Sequence, residues 1–117
     1  MLSRVHHIDV RTPDLEGTVA YLESLGLRVV RRLGGDRGSV ELALPGDGQV
    51  VFEVRPAPDA GQAFVHHVAF ELGGRDDLDE LRRSGVAFVG DSRYVDATGR
   101  TVTNGVDPGG MRWQLTD

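Results

Sequence analysis

Histidine occurs four times in the 117 residues, always as a pair: His6-His7 within "RVHHIDV" and His66-His67 within "AFVHHVAF". Imidazoles suit two kinds of chemistry, proton transfer near neutral pH and ligation of divalent metals. Competing chemistries are few. The chain has no cysteine, which excludes a thiolate nucleophile, a thiolate metal site and a disulfide framework. All 13 basic residues are arginine, so no lysine Schiff base can form. A net charge of −5 argues against a nucleic-acid or anionic-membrane partner, which would want a basic face. No signal peptide or long apolar run is visible, and a cytosolic location is the expectation.

The double histidines head an internal repeat. His67 lies 60 positions after His7, and "VHHIDV" aligns with "VHHVAF". Downstream, "LGLRVV" (25–30) aligns with "SGVAFV" (84–89), and "PGDGQVVFEV" (45–54) with "VDPGGMRWQL" (106–115). Each half reads as strand, helix, strand and a hairpin ending in a strand. The expectation is one domain over 1–117, made of modules at about 1–56 and 64–117 joined by a Pro-containing linker at 57–63. In the first half, Thr12-Pro13-Asp14 predicts a helix start, with Thr12 as cap and an acid at the positive end of the dipole. Leu15, Val19, Leu22 and Leu25 form an apolar stripe, and Gly26 ends it. In the second half Asp77 and Glu80 resemble a capping box before a short helix ending at Gly85.

Alternation on the strands then assigns faces. With Ile8 and Val10 under the helix, His7 and Asp9 point the other way. Burying Val50, Phe52 and Val54 leaves Val51 and Glu53 with the histidines. Burying Val68, Phe70 and Leu72 sends His67, Ala69 and Glu71 to the opposite face. Burying Met111, Trp113 and Leu115 leaves Arg112 and Gln114. Equivalent strands of the repeat therefore present His7, Glu53, His67 and Gln114 on one face, as symmetry pairs His7 with His67 and Glu53 with Gln114. Two imidazoles, a carboxylate and an amide oxygen are a plausible ligand set for a first-row divalent ion, whether Zn, Ni, Co, Mn or Fe. His6 and His66 alternate onto the helix side or its edge.

"HHIDVRTPDLEGTVAYLESLGLRVV", "VVFEV" (50–54), "HHVAFEL" (66–72) and "DPGGMRWQL" (107–115) together resemble the vicinal oxygen chelate superfamily over nearly the whole chain. That group includes glyoxalase I, methylmalonyl-CoA epimerase, extradiol dioxygenases and bleomycin- and fosfomycin-resistance proteins. The resemblance implies an α+β fold of two pseudo-symmetric βαβββ modules whose sheets form an open cup around a metal. It implies His7 and His67 as first- and fifth-strand ligands and Glu53 as the fourth-strand carboxylate. Gln114 stands where the family usually places Glu, which counts against the dioxygenase and fosfomycin branches.

In the glyoxalase-like branch the resemblance implies a lyase or isomerase that stabilises an enediolate as a proton leaves carbon, with Glu53 as ligand or base. Asp9 and Glu71 are second choices, better read as solvent-facing charges or as orienting a histidine. Arg55, Arg93 and Arg112 could meet an anionic group, although solvated strand-edge arginines are commoner. The segment "GDSRYVDATGR" (90–100) is expected to overhang the cup as a lid or rim around Tyr94. The alternatives are a non-catalytic drug-binding or resistance protein and an extradiol-type dioxygenase. A small-molecule partner and a homodimer complete the expectations.

Overall fold

The computed structural model describes residues 1–74 and 76–117, and the elements follow the order β-α-β-β-β twice. They are β1 (Leu2–Thr12), α1 (Leu15–Ser24), β2 (Arg28–Arg32), β3 (Val40–Ala43) and β4 (Val51–Pro56). The repeat continues with β5 (Phe64–Leu72), α2 (Asp77–Arg83), β6 (Val89–Val95), β7 (Arg100–Val106) and β8 (Arg112–Thr116). The architecture is thus α+β, two βαβββ repeats. By packing the chain forms two units, His7–His66 and Met1–His6 with His67–Asp117, so the boundary falls inside each double-histidine motif.

In the first unit the strands run in the order β2-β3-β4-β1, with β1 parallel to β4 and the others antiparallel. The stripe on α1 packs as its spacing demands. Val19 is buried with Val40, Leu42 and Val54, and Leu15, Leu22, Leu27 and Val29 close the cluster. Leu25, expected in the stripe, is the C-cap and 60% exposed, because the helix ends before that position can face the sheet. The N-cap is Asp14 rather than Thr12: its carboxylate accepts from the Gly17 amide at 3.0 Å. Thr12 instead accepts from the Asp14 amide and pairs with the Thr18 hydroxyl at 2.9 Å. Gly26 supplies the left-handed stop at φ 105°.

In the second unit the order is β5-β8-β7-β6, with β5 parallel to β8. The capping-box expectation fails here. Asp76 occupies the cap without a side-chain bond, and the Asp77 carboxylate turns to the Gly74 amide at 2.9 Å. The helix has only 7 residues, too few to cover the sheet. Trp113, expected in the core, is consequently 36% exposed and stacks on Phe70 with centroids 5.9 Å apart. A cavity of about 310 Å³ lies against them, walled also by Leu81, Phe88 and Gly105. Residues 90–100 form no separate lid: β6 and β7 pair as an antiparallel hairpin, with Tyr94 opposite Thr101 and 61% exposed. Asp107 shapes the "DPGG" turn by accepting from the amides of Gly109 and Met111 and from the Trp113 indole at 3.0 Å.

Candidate functional site

Register fixes which side chains share a face in the first unit. Asp9 lies opposite Glu53 on β4, Glu53 opposite Glu41 on β3, and Arg11 opposite Arg55. His7 precedes Asp9 by two positions and so shares that face. These polar residues are deeply buried: Asp9 and Glu53 are 0% exposed, His7 and Glu41 2%. The expectation of a solvent-facing Asp9 is therefore corrected. Polar burial on this scale is tolerable only with paired charges, and arginines provide the pairing.

Glu53 is held by a two-bond fork, its oxygens accepting from Arg37 Nε at 2.8 Å and Nη2 at 3.0 Å. Ser39 adds a hydroxyl at 2.9 Å. Both partners come from the loop after β2, closed by the Leu33 amide on the Ser39 carbonyl at 2.8 Å. Gly38, between them, sits at φ +56°, a conformation that lets the chain turn both neighbours onto one carboxylate. Burial alone would favour protonated Glu53. The Arg37 fork and charge, with smaller help from Ser39 and Arg55, overcome it and hold the carboxyl at about 2.

Two further pairs share the face. Arg11 Nε donates to Asp9 Oδ1 at 2.6 Å, and Arg11 Nη2 to Oδ2 at 3.4 Å. Arg31 donates to both Glu41 oxygens, at 2.8 and 3.2 Å. A bulge explains the last contact. Val29 pairs with Leu42 but Arg31, not Val30, pairs with Glu41, and the extra residue re-aims the guanidinium across the strand. Periodicity carries no trace of Arg37 or of the bulge. Alternation on β1 does place Asp9 beside His7.

In the second unit His67 lies opposite Arg112 and Ala69 opposite Gln114, so His67 and Gln114 share a face. Gln114 is 7% exposed, and its amide donates to Asn104 Oδ1 at 3.0 Å. Glu71 is taken by Arg4 at 2.6 Å near the surface. Within the first unit, Asp9 and His66 offer ligand atoms within 4.8 Å of each other, and the peptide-bonded His67 completes a group in that range. This Asp-His-His group is a candidate metal site that the face assignment did not select. Alternation sends adjacent histidines to opposite faces, and only their proximity in space brings both into range.

The family model of the Glyoxalase/Bleomycin resistance protein/Dioxygenase superfamily matches residues 4–115. The chain belongs to that superfamily. No curated protein matches the sequence. Among solved structures, a variant methylmalonyl-CoA epimerase of Streptomyces coelicolor, in complex with 2-nitronate-propionyl-CoA, is similar with TM-score 0.78. Identity there is 20%, covering 99% of this chain and 97% of that one. The methylmalonyl-CoA epimerase from Mycobacterium tuberculosis gives 0.75 at 19% identity, over 98% of this chain and 87% of that one. A hypothetical protein from Bacillus halodurans C-125 gives 0.72 at 17%, over 97% and 92%. At such identities the likeness defines the fold. Among the described residues, no helix is long and apolar enough to cross a membrane.

Proposed function

We propose that this chain is a metal-assisted lyase or isomerase that moves a proton on a small carbonyl-containing substrate. In this reading His7, Glu53, His67 and Gln114 hold a divalent ion. The observation that carries the reading is Glu53: a buried carboxylate held ionised at about 2, on the same sheet face as His7. The donor chemistry fits a divalent ion, since a carboxylate ligand must be deprotonated and Glu53 is so at any ordinary pH. Its Oε2 accepts from both Arg37 and Ser39, whereas Oε1 accepts from Arg37 alone and keeps one acceptor direction. A divalent ion held by these residues would supply positive charge that offsets negative charge developing on a substrate carbonyl oxygen.

The remaining steps belong to the chain's own groups. Glu53 is assigned the proton as well, but a carboxyl at about 2 is a weak base at pH 7. Burial raises its proton affinity and Arg37 lowers it, so loss of the Arg37 contact would make Glu53 a stronger base. Gln114, already oriented by Asn104, presents its amide oxygen as a neutral fourth donor. The functional form is proposed to be a homodimer in the cytoplasm, and a monomer by light scattering at micromolar concentration overturns that part.

The test combines metal content with isotope exchange. Protein reconstituted with zinc, nickel, cobalt, manganese or ferrous ion should bind one ion per chain. It should also exchange solvent deuterium into a carbonyl substrate such as methylmalonyl-CoA, the compound bound in one solved epimerase. Gln114→Glu should tighten the metal, with Asn104 turning its amide to donate. His7→Gln and His67→Gln should abolish binding. If Asp9→Asn and His66→Gln abolish it instead, the Asp-His-His group is the site. Absence of stoichiometric metal under every condition overturns the reading in favour of a ligand-binding protein.

A further inference from the structure

Among the described residues, the charged face of the first unit carries one more arginine than carboxylates. Three carboxylates, Asp9, Glu41 and Glu53, are each gripped by a two-bond guanidinium from Arg11, Arg31 and Arg37. Arg55 is the fourth arginine, opposite Arg11 and two positions from Glu53 on the same face. Its side chain is only 25% exposed, and its single ion contact is Nη1 to Asp9 Oδ2 at 3.7 Å. Among the described residues it donates no hydrogen bond to a side chain. The Asp9 oxygens it approaches are already occupied by Arg11. A guanidinium carries five donors in a rigid planar fork, and this one has carboxylates nearby but no two-bond acceptor among the described side chains. Burial strips its water, and Arg11 and Arg37 lie near enough for their charges to act on it unfavourably, while Asp9 and Glu53 offset part of this through space.

We propose that Arg55 binds a carboxylate group of the substrate, so that the compound acted on is a small carbonyl-containing acid. A carboxylate supplies the missing negative charge and accepts two parallel N–H bonds from the fork. Arg11 and Arg37 stay on their own partners and add long-range attraction. The inference rests on the proton-transfer reading only in taking this face as the substrate site.

Titration calorimetry on chelator-treated protein tests it without any metal. Propionate and malonate should bind, and propionamide, of matching shape but neutral, should not. Arg55→Met should weaken carboxylate binding at least tenfold. Arg55→Lys, which keeps the charge and loses the fork, should weaken it about threefold or more and covers the case in which the methionine variant fails to fold. Arg93→Met, in the other unit, should change nothing. Equal binding of propionate and propionamide, tighter binding of phosphate than of carboxylate, or wild-type affinity in Arg55→Lys overturns the assignment. Carboxylate binding in a protein without metal or deuterium exchange would sink the enzymatic reading and leave this one standing.

Discussion

Replacing Glu53 by glutamine removes one charge from a buried pair and leaves its shape. In the folded protein the carboxyl sits at about 2 against an ordinary 4.5. That difference corresponds to roughly 3 kcal/mol, taking about 1.4 kcal/mol per tenfold change in proton affinity. Because the folded state holds the proton less tightly than the unfolded chain, the stabilisation is complete above about pH 4.5. It is lost as pH falls toward 2. Glu53→Gln should therefore cost about 3 kcal/mol at pH 7, with Arg37 left charged and without its counterion. In urea that is a midpoint lowered by roughly 1.5–2 M for a domain of this size. The gap between wild type and variant should close as unfolding is repeated from pH 5 down to pH 2.5, in metal-free protein. Taking the difference cancels the other carboxylates, including Glu71 and Asp107, whose pKa values are also lowered. Adding Arg37→Met should cost less than the sum of the two single changes, since the second removes a cation already unpaired. A variant that unfolds at the wild-type midpoint, or a gap constant between pH 5 and pH 2.5, would refute the ion-pair account.

Asp14→Ala should cost about 1 kcal/mol of stability by chemical denaturation, through loss of the cap on α1. Gly17→Ala should destabilise as well, because the added methyl would lie 2.2 Å from the Asp14 carboxylate and force it off the helix end. Gly105→Ala should do the opposite. A Cβ there meets Ala87, Phe88 and Trp113 at 3.7–4.0 Å, ordinary contact beside the cavity, so thermal melting should show a gain of up to about 1 kcal/mol.

Some of this was legible in residue order alone. The repeat, the α1 stripe at Leu15, Val19 and Leu22, and the shared face of His7 and Glu53 all follow from period and alternation, which are properties of single elements. What escaped depends on contacts between elements. Thr12 looked like the cap, but its hydroxyl is engaged by Thr18 and the Asp14 amide, and the role passes to Asp14. Asp9 looked like a surface acid because one strand cannot reveal that Arg11 and Arg55 will cover it. Arg37 sits in a loop with no periodicity, and only its fold-back through Gly38 brings it to Glu53. Alternation places Trp113 in the core but says nothing of whether a helix of 7 residues is long enough to bury it.

That half-covered indole has an optical consequence. Trp113 is the chain's one tryptophan, and it sits in the second unit, stacked on Phe70 with its N–H on the Asp107 carboxylate. Emission excited at the red edge of the tyrosine band therefore reports a single unit, whereas far-ultraviolet circular dichroism averages over the strands of both. Each protein sample thus carries its own site-specific dye. Coincident melting curves from the two signals mean that the units unfold together. An earlier fluorescence transition means that the thinly covered unit opens first, while α1 and its cluster still hold.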